Sequence, residues 1–288
     1  VPYTNTHIKG WLRIIIFVVA YIFVGGFFYF LTALIAGLEL GISIEKASPS
    51  QRIIVVFFDA FSVFCVLWVL LKFIDKETFY EIGLKITHRL KDVVIGLFIG
   101  LIIMSLGFSF LMFTNEIEFQ ALNFNFKGLI YILLLYTLVS FKEEVLVRGY
   151  FLKNLMYSFG KPIALVVSAI VFSFMHGLNP AFDYLGFINL FLAGVMLGLP
   201  YIFNKNLWFP IALHFSWNFF QSLFGFKVSG LDSYSLIEFD ISENNIINGG
   251  SFGFEGSILS IVIQVLMIIS LYLWYSKKTK NEIGIRAV

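Results

Sequence analysis

Apolar residues fall along this chain in long blocks rather than in strict alternation. The blocks cover roughly residues 11–38, 53–74, 93–113, 129–147, 163–176, 185–203, 207–224 and 258–275. A helix needs about 20 apolar residues to cross the hydrocarbon core of a bilayer. A lone strand of that character would leave its backbone groups unpaired in lipid, so the blocks are read as helices. The pattern predicts an all-α polytopic membrane protein with about eight transmembrane helices. The fifth block is short, and the seventh carries Pro210, His214 and Asn218, which a membrane helix tolerates when they face other helices. Gly96 with Gly100, and Gly194 with Gly198, stand at the small-xxx-small spacing that lets helices approach closely.

The connections carry unequal charge. Lys and Arg gather at Lys9 and Arg13, over residues 72–91, at Lys153 and Lys161, at Lys205 and from Lys277 onward, whereas the alternate connections hold Lys46, Arg52, Lys127 and Lys227. The positive-inside rule then places both termini in the cytoplasm and segment 225–256 outside. That segment carries Asp232, Glu238, Asp240, Glu243 and Glu255 and is expected to be an ordinary flexible loop. The connection 75–92 fits a short amphipathic surface segment and a solvated loop equally well. The apolar run from Ile14 is too long for a removed signal sequence and is read as a true span. No repeat or linker divides the chain, so 1–288 is expected to form a single transmembrane domain, with its chemistry in a core at about 127–224.

Composition agrees: 59% of the 288 residues are hydrophobic, 13% are charged, and the mean hydropathy is +0.89. A formal net charge of +2, with no run of Lys and Arg, gives no surface for nucleic acid. The single cysteine, Cys65, excludes a disulfide framework and a cysteine metal cluster. The 36 Phe, with many Ile, Asn and Lys, fit an AT-rich bacterial gene.

Candidate chemistry begins at Lys142-Glu143-Glu144-Val145-Leu146-Val147-Arg148, which places ionised side chains at the end of an apolar block. Ionisable groups at membrane depth are expensive and ordinarily face a cavity or a partner; the bland alternative is an edge cluster whose long side chains reach back to the headgroups. On a helix, Glu144 and Arg148 share a face and pair, while Glu143 is turned about 100° away and remains a free carboxylate. The spans contain two histidines, each with a partner at helical spacing: Phe172 with His176, and His214 with Asn218. A carboxylate, two imidazoles and a carboxamide are groups that lipid would not accept, so they are expected to converge on one wet cavity. Such a cavity suits water activation. Glu143, assisted by His176, takes a proton from water as general base, and His214 and Asn218 donate hydrogen bonds to the oxyanion of a peptide carbonyl. There is no H-E-x-x-H helix. Glu143, His176 and His214 nevertheless remain a possible three-ligand zinc site, and the residues leave metal-dependent and metal-free hydrolysis both open.

These motifs, Glu143-Glu144-x-x-x-Arg148, Phe172-x-x-x-His176 and His214-x-x-x-Asn218, resemble the three signatures of the CAAX-protease and bacteriocin-processing (CPBP, or Abi) intramembrane proteases, a family that includes the CAAX prenyl endopeptidases. Their order and spacing along residues 129–220 are similar too. The resemblance implies an endopeptidase in which Glu143 and His176 activate water, His214 and Asn218 hold the oxyanion, and Glu144, Arg148 and Phe172 support the site. It implies a membrane-associated or lipidated peptide or protein as substrate, in CAAX-type or bacteriocin processing. Members are commonly labelled metalloproteases. The alternative is a non-catalytic membrane immunity or scaffold protein of the same fold; a transporter would more often carry an internal repeat.

Depth sets one further expectation. His176 lies about 20 Å beyond Lys161 along its helix, which a Glu143 near the end of a helix stopping at Val147 would not meet. The fourth helix is therefore expected to continue through Arg148 toward Tyr157, since residues 149–159 stay apolar with no breaker before Gly160 and Pro162.

Overall fold

The computed structural model describes residues 8–39, 41 and 46–286, with side chains described as far as residue 278. Residues 1–7 and 287–288, on which the expectation of cytoplasmic termini falls, lie outside the described residues. Each apolar block forms a helix. They are α1 (Gly10–Ala36), α2 (Pro49–Leu70), α3 (Leu90–Phe113), α4 (Phe126–Glu144) with α5 (Lys153–Phe159), α6 (Lys161–Met175), α7 (Tyr184–Asn204), α8 (Trp208–Leu223) and α9 (Ile258–Arg286). Among the described residues, five helices are long and apolar enough to cross a membrane: Gly10–Ala36, Pro49–Asp75, Leu90–Phe113, Tyr184–Asn204 and Ile258–Lys278. The polar motifs lie on α4, α6 and α8, outside that set.

Local sequence explains where these helices start and stop. Ser48 and Gln51 form a reciprocal capping box ahead of Pro49, the arrangement that satisfies orphan donors at a helix N-terminus. Asn125 accepts from the Gly128 amide to open α4, and Asp183 accepts from the Gly186 amide at 2.8 Å to open α7. Between α4 and α5 the helix does not end. It passes through a π-helical stretch, Val145–Leu152, and breaks only at Gly160, whose φ of 75° suits glycine. Pro162 then stands in the first turn of α6, where a missing amide hydrogen costs nothing. The expected continuation through Arg148 is thus found.

That corner aligns the motifs. Glu143 lies about 20–25 Å from Phe159 along the α4–α5 helix, and His176 about as far from Lys161 along α6. The two arms of the helical hairpin therefore bring both residues to the same level. Glycines let the neighbouring helices close in. A methyl group on Gly96 would stand 2.9 Å from the Leu213 amide nitrogen, and one on Gly100 would stand 2.1 Å from Ser216 Oγ, so α3 lies against α8 with no room for a side chain. Gly194 meets the Cα of Ala169 in the same way, seating α7 on α6.

Segment 225–256 departs from the flexible loop expected of it. It contributes β2 (Ile237–Asp240), which pairs antiparallel with β1 (Glu118–Leu122) across a bulge between Phe119 and Ala121. Glu255 turns inward and accepts from both the amide and the hydroxyl of Ser229, each at 2.7 Å. Side chains of Asn179 and Gln221 bind the carbonyls of Ser229 and Lys227. The segment is fixed because its backbone carbonyls find Asn179 and Gln221 outside it and its inward carboxylate closes onto Ser229 within it, a detail that composition does not carry. The connection 75–92 is also docked. Its turn Tyr80–Leu84 buries Ile82, and Tyr201, Trp208 and Asn206 donate to the carbonyls of Ile82, Leu84 and Lys85.

Candidate active site

Three helices, α4, α6 and α8, deliver the motif residues to one place. Glu143, Phe172, His176, His214 and Asn218 all line a cavity of about 450 Å³ whose remaining wall is largely apolar, including Val139, Leu190 and Leu197. Glu144 and Arg148 do not reach that cavity and are fully buried behind it.

The support behind the wall is built from the i, i+4 spacing. Arg148 Nη1 donates to Glu144 Oε1 at 2.6 Å, and Nη2 donates to the carbonyl of Gly194 on α7. The same Glu144 oxygen accepts from His214 Nδ1 at 2.8 Å. Phe172 fills the space between, its ring centroid 4.3 Å from the Arg148 guanidinium and 4.9 Å and 6.0 Å from the rings of His176 and His214. A cation over an aromatic face is attracted by the ring quadrupole, so one ring packs against the buried charge and both imidazoles. The sequence pairing of Glu144 with Arg148 holds, and Glu144 has a second task that helical spacing did not reveal.

These contacts fix the tautomers. His176 Nδ1 lies 2.9 Å from the carbonyl of Phe172, which only accepts, so Nδ1 carries a proton. His214 Nδ1 likewise donates to the Glu144 carboxylate. Each ring then turns its Nε2 toward Glu143 Oε2, at 3.8 Å from His176 and 3.9 Å from His214. Those separations are too long for direct hydrogen bonds, and they leave room for one water touching Oε2 and an imidazole together. Glu143 Oε2 is itself buried without a hydrogen-bond partner, and a buried oxygen of that kind calls for a water or a ligand. The possible zinc set, Glu143, His176 and His214, stands slightly wider than a tetrahedral site, with Oε2 at 3.8 and 3.9 Å from the two Nε2 atoms. Ligands held about 2.0 Å from tetrahedral zinc stand about 3.3 Å apart, and among the described residues no group of three or more His, Cys, Asp or Glu side chains is arranged to hold a metal ion.

Around the cavity stand residues to which the sequence assigned no role. Lys142 Nζ lies 2.8 Å from Asp59 Oδ2 on α2 and 3.6 Å from Glu143 Oε1. Tyr21 on α1 donates to the other oxygen of Asp59. The signal was present, because Asp59 is the one acid in the apolar block 53–74, the same anomaly as Glu143. Glu255 and Ser229 line the cavity from segment 225–256, and no spacing rule links them to the motifs.

Residues 124–220 match the model of the Rce1-like family, type II CAAX prenyl endopeptidase Rce1-like. No curated protein and no solved structure matches the chain. The matched segment runs from the start of α4 to Phe220 in α8 and contains all three motifs, while α1 to α3 and α9 lie outside it. At family level, the match supports an intramembrane endopeptidase. Over residues 124–220, about a third of the chain, the sequence is similar to that family, and the several apolar helices make this a multi-pass membrane protein.

Proposed function

We propose that this protein hydrolyses a peptide bond of a membrane-associated or lipidated protein, by water activated at Glu143 and without a metal step. The observation that carries the reading is the unpartnered Oε2 of Glu143, which lies 3.8 Å and 3.9 Å from Nε2 of the two histidines, where one water can bridge them from the side. Glu143 Oε2 removes one proton from the water, while Nε2 of His176 accepts its second hydrogen and turns the oxygen lone pair toward the substrate carbonyl. The carbon–oxygen bond forms, and the carbonyl electron pair moves onto oxygen. Asn218 Nδ2 donates to that oxyanion, as does His214 Nε2 when the ring carries both protons, Glu144 accepting the one on Nδ1. Collapse breaks the carbon–nitrogen bond, and the proton on Glu143 passes to the leaving amine.

The mostly apolar wall supports a substrate with an apolar segment or a lipid chain. The similarity to CAAX prenyl endopeptidases makes a prenylated peptide with a C-terminal Cys-aliphatic-aliphatic-X sequence the first probe. The distribution of Lys and Arg supports a cytoplasmic location for the face that carries the Gly160 corner.

The test compares peptide termini by mass spectrometry in membranes holding the wild-type chain or Glu143→Gln at equal abundance, alongside cleavage of the prenylated probe. A general base contributes about 100- to 10,000-fold, so the variant is expected to lose at least about 100-fold in rate. New termini that persist undiminished in Glu143→Gln would overturn the reading, and absence of any dependent terminus would favour a scaffold or immunity role.

A further inference from the structure

Beside the cavity runs a polar chain that the proposed reaction does not use: Tyr21 and Lys142, which line it from α1 and α4, and Asp59 of α2, which joins them. Neighbouring residues on a helix diverge by about 100°, yet the ionised ends of Lys142 and Glu143 come within 3.6 Å. They do so because Lys142 is drawn back to Asp59 at 2.8 Å, and Asp59 is held in turn by the Tyr21 hydroxyl. The consequence is an asymmetric carboxylate. Oε1 of Glu143 faces the ammonium group, and Oε2 faces the two imidazoles.

We propose that Lys142, anchored by Asp59 and Tyr21, is a positioning residue that holds Glu143 Oε1 so that Oε2 is the oxygen presented to the water between His176 and His214. The inference rests on the proposed proteolytic reading and extends it to residues outside the three motifs. The need for such a restraint is physical. The terminal torsion of a glutamate is broad and nearly two-fold, so an unrestrained carboxylate at this site would populate orientations in which neither oxygen meets both rings. The other charged groups around Glu143 do not supply the restraint. Arg148 and Glu144 are committed to each other behind the wall, and the histidines meet the working oxygen rather than its twin. Lys142 alone among the described residues forms an ion pair with Oε1. A cation tied to a carboxylate on a different helix also links the base to the wall of α1 and α2, which lie outside the segment matched to the family.

The test measures kcat and KM, on the peptide cleaved by the wild-type chain, for Lys142→Met, Lys142→Arg and the neutral pair Lys142→Met with Asp59→Asn. The double variant removes both charges together, so it leaves no ion unpaired if the single change fails to fold. The expected result is a fall in kcat of about 10- to 100-fold, with KM within about threefold, in Lys142→Met and in a double variant of native thermal midpoint. Lys142→Arg is expected to keep most of the rate, because the charge is retained. The double variant is expected to lose no more than the worse single change, since residues in one network do not add. A folded double variant with wild-type kcat would overturn the proposal while Glu143→Gln remains inactive. If Glu143→Gln retains wild-type cleavage instead, it is the proteolytic reading that fails, and this inference with it.

Discussion

Arg148 exposes no surface, yet carries a charge into the interior of the helix bundle. A lone charge there would be prohibitive, and the guanidinium meets the demand with a carboxylate, a backbone carbonyl and an aromatic face at once. Removing it strands Glu144 beside His214. Arg148→Met is expected to destabilise the fold by about 3–5 kcal/mol, read as a fall in the thermal unfolding midpoint in detergent. Arg148→Lys should fall between, because an ammonium does not reproduce the planar fork. An unchanged midpoint in Arg148→Met would mean that the pair does not hold the site. At this scale the sequence was partly legible. Spacing of four gives Glu144 and Arg148 as a pair, but the 2.8 Å contact from Glu144 to His214 joins residues 70 positions apart, and no local periodicity encodes it.

At the scale of elements, the site depends on how α3, α6, α7 and α8 are seated. The π-helical stretch Val145–Leu152 begins directly after Glu144, and irregular turns of this kind are frequent at functional sites. His214 and Asn218 ride on α8, whose approach is set by Gly96 and Gly100 of α3. Adding a methyl group at Gly100 collides with Ser216, and adding one at Gly194 collides with Ala169. Gly100→Ala and Gly194→Ala are each expected to cost about 1–3 kcal/mol through overpacking, seen as lowered thermal midpoints. Gly26, where an added methyl group meets nothing within 4 Å, supplies the control: Gly26→Ala should leave stability nearly unchanged or raise it slightly. Equal losses at all three positions would contradict the packing account. The small-xxx-small spacing was visible in the sequence; which helix each pair would meet was not.

Across the whole molecule, apart from the buried network of Glu144, Arg148 and His214, polar contacts collect at the two ends of the bundle. One end joins Arg13, Asp75 and Asn154, and also Lys153 and Glu77. The other joins Arg52 to the carbonyl of Asp232, and Asn123 to Glu238. The orientation proposed from charge then has a direct test in a Cys65→Ser background, using a membrane-impermeant maleimide. Glu243→Cys is expected to label in intact cells, and Lys91→Cys only after permeabilisation. The opposite pattern would reverse the orientation.

By itself the sequence determined the helices, their approximate bounds, the continuation past Arg148 and the set of polar residues that lipid would reject. It could do so because the bilayer is a severe solvent: apolar length and unpaired polarity are local properties, legible one segment at a time. Tertiary structure alone decided that both Nε2 atoms face a single oxygen of Glu143, that Glu144 serves Arg148 and His214 together, and that Tyr21, Asp59 and Lys142 stand beside Glu143. It also decided that segment 225–256 is docked over the helix ends and lines the cavity. Those facts are distances between residues far apart in the chain, set by how close glycine-lined helices approach and at what depth the Gly160 corner holds them.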